Sequence, residues 1–380
     1  MDVSALKDRD TAVAAARSLG ERIEAAVPET DRLGHMPDDL FQAIADSGLY
    51  RLGLPEEFGG AGAHIATFIE VVEEISRADP STGWSFMANS GSVAILSAHL
   101  PQAGAERIFG TGELTLTAGM LAPTGVATKV EGGYRVSGKY GFASGSAHAS
   151  WICAGARVDD EKKTGIMLAV PRSEVEFLGN WDVIGLRGTG SVDYRLDDVF
   201  VPEDSVFLRE GAKALRGQPS LKLGLLVGLV GHVGVALGTA RRALEELVKI
   251  ADMGRGRPGV PPMREQPHFL HEFAVNDYKY RSARSYVLES LNNAVAPLAA
   301  GEPLTAALAG RVQQATTMGV RMASEVVTSC YGWSGSVGLR RPHPLGRLVT
   351  ETAGQTQHGL VDPNSLVFAG PGLMDDYRDA

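Results

Sequence analysis

The run Leu223–Ala240, LGLLVGLVGHVGVALGTA, constrains the fold of this chain more than any other segment. Gly224, Gly228, Gly231, Gly234 and Gly238 recur three or four residues apart, so on an α-helix they line up as one stripe. A stripe without side chains lets a neighbouring backbone come close. The run approaches the roughly 18–20 apolar residues that cross a bilayer, where such a stripe would read as a helix-dimerisation face. But Lys222 precedes it, His232 interrupts it, Arg241 and Arg242 follow at once, and the rest of the chain offers no second span. The expectation is a helix buried on all sides inside a soluble bundle, with no membrane partner.

The texture of the chain changes twice. Residues 1–112 read as helices. Amphipathic runs cover Ala5–Ala26, Pro37–Gly48 and Ile65–Arg77, with Asp38 and Asp39 in the first turn of the second. A further helix starts near Trp84, with Ser81 or Thr82 as its cap. Between them Leu52–Gly60, LGLPEEFGG, has no periodicity and reads as a loop. Residues 113–207 alternate instead. Ala127–Val136 carries Gly132-Gly133 where a hairpin would turn, and Trp151–Val158, Gly165–Pro171 and Val192–Val201 read as strands. Such spacing predicts a small antiparallel barrel or sandwich. Residues 208–380 return to helix, over roughly 219–252, 266–298, 303–332 and 342–358. Pro258, Pro261, Pro262 and Pro267 fix the first break. The expected fold is α+β and mostly helical: an N-terminal helical domain (1–112), a β-domain (113–207) and a C-terminal four-helix bundle (208–380).

Composition excludes several functions. With 44% hydrophobic and 21% charged residues the chain is globular rather than disordered. Thirty-six basic against 45 acidic side chains leave a net charge of −9, whereas nucleic acid needs a basic face. Cys153 and Cys330 cannot form a disulfide framework, and the charged start MDVSALKDRD is no signal peptide, so a cytoplasmic setting is expected. There is no GxxxxGK[ST], no HExxH and no zinc-spaced His/Cys cluster, so no metal is expected. Gly188-Thr189-Gly190 precedes a strand, the wrong order for a dinucleotide turn.

Three features ask for explanation. In Tyr140–Trp151, YGFASGSAHASW, Ser144, Gly145 and Ser146 end a strand; this is either a bulge or tight turn, or backbone N–H groups left open to a planar ligand. In Gly185–Ser191, GLRGTGS, three glycines suit close backbone approach or a loop between domains, and Arg187 could pair with a carboxylate on a neighbouring helix. His358 ends a helix before Gly359 and Pro363, as a cap, a core hydrogen-bonder or a catalytic group.

In this order the motifs resemble the acyl-CoA dehydrogenase superfamily over nearly the whole chain. They are LPEEFGG (Leu54–Gly60), ADPSTGW (Ala78–Trp84), Pro123 followed by GGYRVSGKYGFASG (Gly132–Gly145), and GLRGTGS followed by LDDVFVP (Leu196–Pro202). Dehydrogenases of the family use a glutamate near the C-terminus, but Thr356-Gln357-His358-Gly359 stands there instead. Glu351 lies roughly two helical turns earlier and is expected to point elsewhere. The histidine, FxSG and GLxGTGS resemble the branch of two-component flavin-dependent monooxygenases.

That resemblance implies reduced flavin, FMN or FAD, delivered by a separate flavin reductase. It implies O₂, a C4a-hydroperoxyflavin, a small apolar or aromatic substrate and a homotetramer. It implies His358 and Ser144 as catalytic residues. Phe142, Ser144, Gly145 and Ser146 would bind the flavin, Arg255 or Arg257 its phosphate, and Gly332 and Trp333 would form a loop at its far end. Trp84, Ser92 and Leu121 would line the substrate pocket. The second histidine that some members place after SxGW is missing: that helix reads WSFMANSGSVAIL, and His99 lies too far along. The competing expectations are an acyl-CoA dehydrogenase or oxidase with a displaced base, and a relative that has lost its chemistry.

Overall fold

The computed structural model describes residues 2–254 and 259–378. Arg255 and Arg257 lie outside the described residues. The N-terminal region is helical, with α1 (Arg9–Ser18), α2 (Gly20–Leu33), α3 (Asp38–Asp46), α4 (Ile65–Ala78), α5 (Pro80–His99) and α6 (Gln102–Phe109). The run expected as one helix over Ala5–Ala26 breaks at Leu19, which closes α1 and opens α2. α5 begins earlier than expected, and its cap is Asp79. Its carboxylate accepts from the Thr82 N–H at 2.8 Å and the Thr82 hydroxyl at 2.7 Å. Every residue of α5 except Ala88 is buried.

The middle region contains β1 (Thr117–Val130), β2 (Gly133–Tyr140), β3 (Trp151–Val158), β4 (Gly165–Pro171), β5 (Glu176–Phe177), β6 (Tyr194–Pro202) and β7 (Val206–Leu208). The Gly132-Gly133 hairpin forms, with Val130 opposite Gly133. The sheet order is β5-β6-β2-β1-β3-β4-β7, and β1 runs parallel to β3. The expected antiparallel barrel or sandwich is therefore a single mixed, open sheet. The reason is the Tyr140–Trp151 segment, which carries the chain across so that β3 enters beside β1 in the same direction.

The C-terminal region contains α7 (Leu226–Asp252), α8 (Pro267–Ala299), α9 (Ala306–Ser334), the short α10 (Ser336–Leu339), α11 (Pro344–Gln355) and α12 (Ser365–Arg378). The glycine stripe does what its spacing predicts from Gly228 onward. A Cβ on Gly231 would lie 2.2 Å from Met87 Cγ, and one on Gly238 would lie 2.3 Å from the Glu73 carbonyl oxygen. α4 and α5 therefore rest directly on the backbone of α7. Gly224 is different: it has φ +62 and stops the preceding 3₁₀ turn, so the helix starts seven residues later than the pattern suggests, at Leu226 rather than 219. Among the described residues no helix is long and apolar enough to cross a membrane. α12 was not anticipated, and α11 ends three residues short of His358.

Candidate functional site

α5 brings Trp84 to the centre of a cluster drawn from all three regions. Its indole N–H donates to the Ser144 hydroxyl at 3.1 Å. Its ring meets His358 edge-on at 5.7 Å between centroids and His232 at 5.0 Å. The two imidazoles lie 4.2 Å apart. His358 sits just beyond α11, as the cap of the 3₁₀ turn Gly359–Val361. α11 is held against α7 by the amide of Gln355, which donates to the Thr239 hydroxyl at 2.9 Å.

Each histidine is held in one neutral form. His358 Nδ1 accepts from the Leu360 N–H at 3.3 Å, so its neutral ring carries the proton on Nε2. His232 Nδ1 lies 2.8 Å from the Leu229 carbonyl, which can only accept, so that ring carries its proton on Nδ1. Loss of hydration pushes His358 down to about 4, and burial beside His358 puts His232 well below its ordinary value. Both are neutral near pH 7. Sequence reasoning treated His232 as an interruption of an apolar helix. Its isolation among glycines and aliphatics was the available signal.

Ser144 belongs to a second chain of groups. Its Oγ is 2.5 Å from Ser191 Oγ, which is 2.7 Å from Thr189 Oγ1, which donates to the Leu186 carbonyl at 2.8 Å. The N–H groups of Ala143, Ser144, Gly145 and Ser146 donate to Val192, Phe142, Thr189 and Ala143 carbonyls. The reading that the backbone of Gly145 and Ser146 is open to a planar ligand is thereby corrected: the turn's N–H groups are taken by its own carbonyls and by those of Thr189 and Val192. Openness comes instead from Phe142. It is 59% exposed, holds φ +66 and meets Trp181 edge-on at 6.1 Å. A bulky residue in the left-handed region costs about 1–3 kcal/mol and marks a site the fold enforces.

Other expected site residues fall elsewhere. Ser92 is buried and donates to the Thr117 carbonyl at 2.8 Å, fastening α5 to β1. Leu121 is half-buried on β1. Gly332 and Trp333 lie in the last turn of α9 rather than a loop, and Trp333 packs on His268 and Phe269 of α8 at 5.5 and 5.2 Å. His99 bonds through Nδ1 to the Ile95 carbonyl and stacks on Phe207, apart from the cluster. The GLRGTGS loop is a junction between regions. A Cβ on Gly185 would lie 1.8 Å from the Thr350 carbonyl oxygen. Arg187 is exposed and makes no ion pair among the described residues. The junction's arginine is Arg347, paired with Asp31 (3.0 Å), Asp79 (2.6 Å) and Glu351 (3.2 Å).

Glu351 is buried in that network. It accepts from the Leu186 N–H at 3.0 Å and the Ser81 hydroxyl at 3.1 Å. Burial, with Asp79 and Asp31 nearby, pushes it up to about 7 against the pull of Arg347.

Residues 7–106 match the family described as acyl-CoA dehydrogenase, N-terminal domain, and residues 230–363 match acyl-CoA dehydrogenase, C-terminal domain. An indole-3-acetate monooxygenase of Pseudomonas putida is 33% identical over 92% of this chain and 90% of its own length. The chain belongs to the acyl-CoA dehydrogenase family. Within it, the chain falls in the branch of flavin-dependent monooxygenases. The oxygenase subunit HsaA of Rhodococcus jostii, a flavin-dependent monooxygenase, is 34% identical over 49% of this chain and 51% of its own. Among solved structures, the 3-HSA hydroxylase of Rhodococcus sp. RHA1 superimposes with a TM-score of 0.90 at 25% identity, over 97% of this chain and 98% of that one. XiaF from Streptomyces sp., solved with FADH2 and glycerol, shares the fold at a TM-score of 0.89 and 22% identity, over 98% and 96%.

Proposed function

We propose that the chain is the oxygenase component of a two-component system. It takes reduced flavin, FMN or FAD, from a separate flavin reductase and uses O₂ to oxygenate an apolar or aromatic small molecule. The observation that carries this reading is His358, neutral and edge-on to Trp84 beside Ser144, while Glu351 is spent in an ion-pair network. Its bonds to Ser81 and the Leu186 N–H and its pairing with Arg347 count against Glu351 as the base of an acyl-CoA dehydrogenase.

The residues fit a flavin. Phe142, exposed and edge-on to the half-buried Trp181, would offer an apolar contact to a flat ring, and Ser144, two residues along, a hydroxyl oxygen. Bound there, reduced flavin supplies the two electrons with which O₂ is divided, one atom going to substrate and the other to water. His358 donates a hydrogen bond from Nε2–H towards the reacting oxygen, and Trp84 and His232 fix its ring. The buried walls of α5 and α7 keep water out. A homotetramer is supported by the exposed apolar residues of α12, Val367, Phe368, Met374 and Tyr377, which call for cover. Two buried free thiols suit the cytoplasm.

The test supplies reductase-generated reduced flavin in air with a panel of indoles and phenols, and weighs products for one added oxygen. His358→Ala is expected to lower product by about 10²-fold or more, with electrons diverted to hydrogen peroxide and flavin affinity unchanged. Undiminished product from the variant refutes the role of His358. Flavin reduction by acyl-CoA thioesters, without reductase, refutes the oxygenase reading.

A further inference from the structure

The glycine stripe brings α7 close enough to α5 for one polar side chain of α7 to reach the site. Gly231 packs against Met87, three residues beyond Trp84, and His232 stands next to it with its ring 5.0 Å from the Trp84 indole. The Nδ1–H of His232 donates to the Leu229 carbonyl at 2.8 Å, one turn back along the helix. The two nitrogens sit at separate corners of an imidazole. Using Nδ1 on the helix leaves Nε2 turned away from that carbonyl, with a lone pair and no proton. Among the described residues nothing donates to this lone pair, although His232 is only 5% exposed. A buried acceptor without a partner is costly, so it asks for a ligand that donates.

His358 has the opposite polarity. Its Nδ1 accepts from the Leu360 N–H, so its Nε2 carries the proton. The two rings are 4.2 Å apart and tilted by 38°, closer to face-to-face than to edge-on. Each N–H and each lone pair lies in the plane of its own ring, so the two Nε2 atoms do not bond to one another. The pair therefore presents a donor and an acceptor side by side, each fixed by a backbone group. No cation stands with them: the Arg347 guanidinium is taken up by Asp31, Asp79 and Glu351.

We propose that His232 is a specificity-determining residue for the substrate. Its Nε2 accepts a hydrogen bond from an N–H or O–H on the aromatic ring, and so selects uncharged indoles and phenols over analogues of the same shape that lack that hydrogen. This rests on the oxygenase reading above and adds what the ring must carry. An analogue with only a lone pair at that place meets the lone pair of His232 and leaves it unpartnered. The accepted hydrogen bond also pushes electron density into the ring that is to receive oxygen, while His358 keeps its N–H for that oxygen. No proton has to pass to His232 for the selection to hold.

The experiment measures dissociation constants by anaerobic calorimetry on the full chain, without flavin and with dithionite-reduced FMN. The probes are indole against benzofuran and phenol against fluorobenzene. Each pair keeps its shape and exchanges the N–H or O–H for an atom that cannot donate. The wild type is expected to bind the donor of each pair about tenfold more tightly, as roughly one hydrogen bond requires. His232→Asn keeps a donor for the Leu229 carbonyl and removes the acceptor. It should bring both ratios to about one, chiefly through weaker binding of indole and phenol. His232→Gln, whose amide oxygen can reach the place of Nε2, should keep a preference. A merely structural role would weaken both members of a pair together and leave the ratio unmoved. A ratio that survives in His232→Asn overturns the inference. So does equal binding of the pairs, or binding of none of them, by the wild type, a result that needs no variant to fold. Oxygenated product alongside equal binding leaves the oxygenase reading standing without this inference; a ratio lost in His232→Asn, with no oxygenated product from the wild type, does the reverse.

Discussion

Two polar clusters flank α11, and they are built on opposite terms. One gathers Arg347, Asp31, Asp79 and Glu351, with Ser81 and the Leu186 N–H completing the bonds. The other gathers His358, His232, Trp84, Ser144, Ser191 and Thr189, and near pH 7 it carries no formal charge. The difference teaches where chemistry can reside in a buried place. A buried charge must be fully paired, so the first cluster has nothing left to offer a ligand. A neutral hydroxyl or imidazole can keep a lone pair or an N–H in reserve at much smaller cost. Leu186, held at φ +58, joins them: its N–H serves Glu351 and its carbonyl ends the hydroxyl chain.

Two substitutions sharpen the contrast. Arg347→Met strands Asp79 and Glu351, which are 0% and 1% exposed, without their cation. The expected loss is about 3–5 kcal/mol in urea unfolding; a loss below about 1 kcal/mol would put this pair among exposed ones and dissolve the distinction. Gly185→Ala comes next. Its Cβ meets the Thr350 carbonyl oxygen at 1.8 Å, so the loop must lift from α11. The expected cost is about 1–3 kcal/mol. Because that loop also carries Thr189, whose carbonyl accepts from the Gly145 N–H, oxygenated product should fall as well. Lost stability with undiminished product would show that the two clusters are independent.

The fold was legible where its period was simple. The strands at Trp151–Val158 and Gly165–Pro171 and the helix from Ile65 appear at or within one residue of their expected bounds, because alternation and 3.6-residue spacing are local properties. The parallel β1–β3 pairing was not legible, since it is set by a crossing segment whose path depends on packing. Ser144 and His358 could be named from motif order, although neither is distinctive alone. The partners that make them useful could not. His232 lies 126 positions before His358, and Ser191 lies 47 after Ser144. Only the fold brings them within reach. The glycines of GLRGTGS were legible as close-approach residues, and the surfaces they approach are α11 for Gly185, Thr30 for Gly188 and His35 for Gly190.

The smallest expected effect separates the clusters by sign. His358 titrates at about 4 in the fold, against about 6.5 when unfolded. Between those values the unfolded chain binds a proton that the folded chain refuses, so this histidine makes stability fall as pH is lowered from about 6.5 towards 4. His232, also shifted down, acts in the same direction. Glu351, held at about 7, does the reverse. Between about 4.5 and 7 the folded chain keeps a proton that the unfolded chain has released, so its contribution grows as pH is lowered and is lost as pH rises through 7. Urea midpoints at pH 7 and pH 5 read both. The double variant His232→Gln/His358→Gln should lose less stability on acidification than the wild type, and Glu351→Gln should lose more. If the two variants shift the acid response the same way, the neutral cluster and the charged one are not the opposites their bonds describe, because a single frame would then be titrating both.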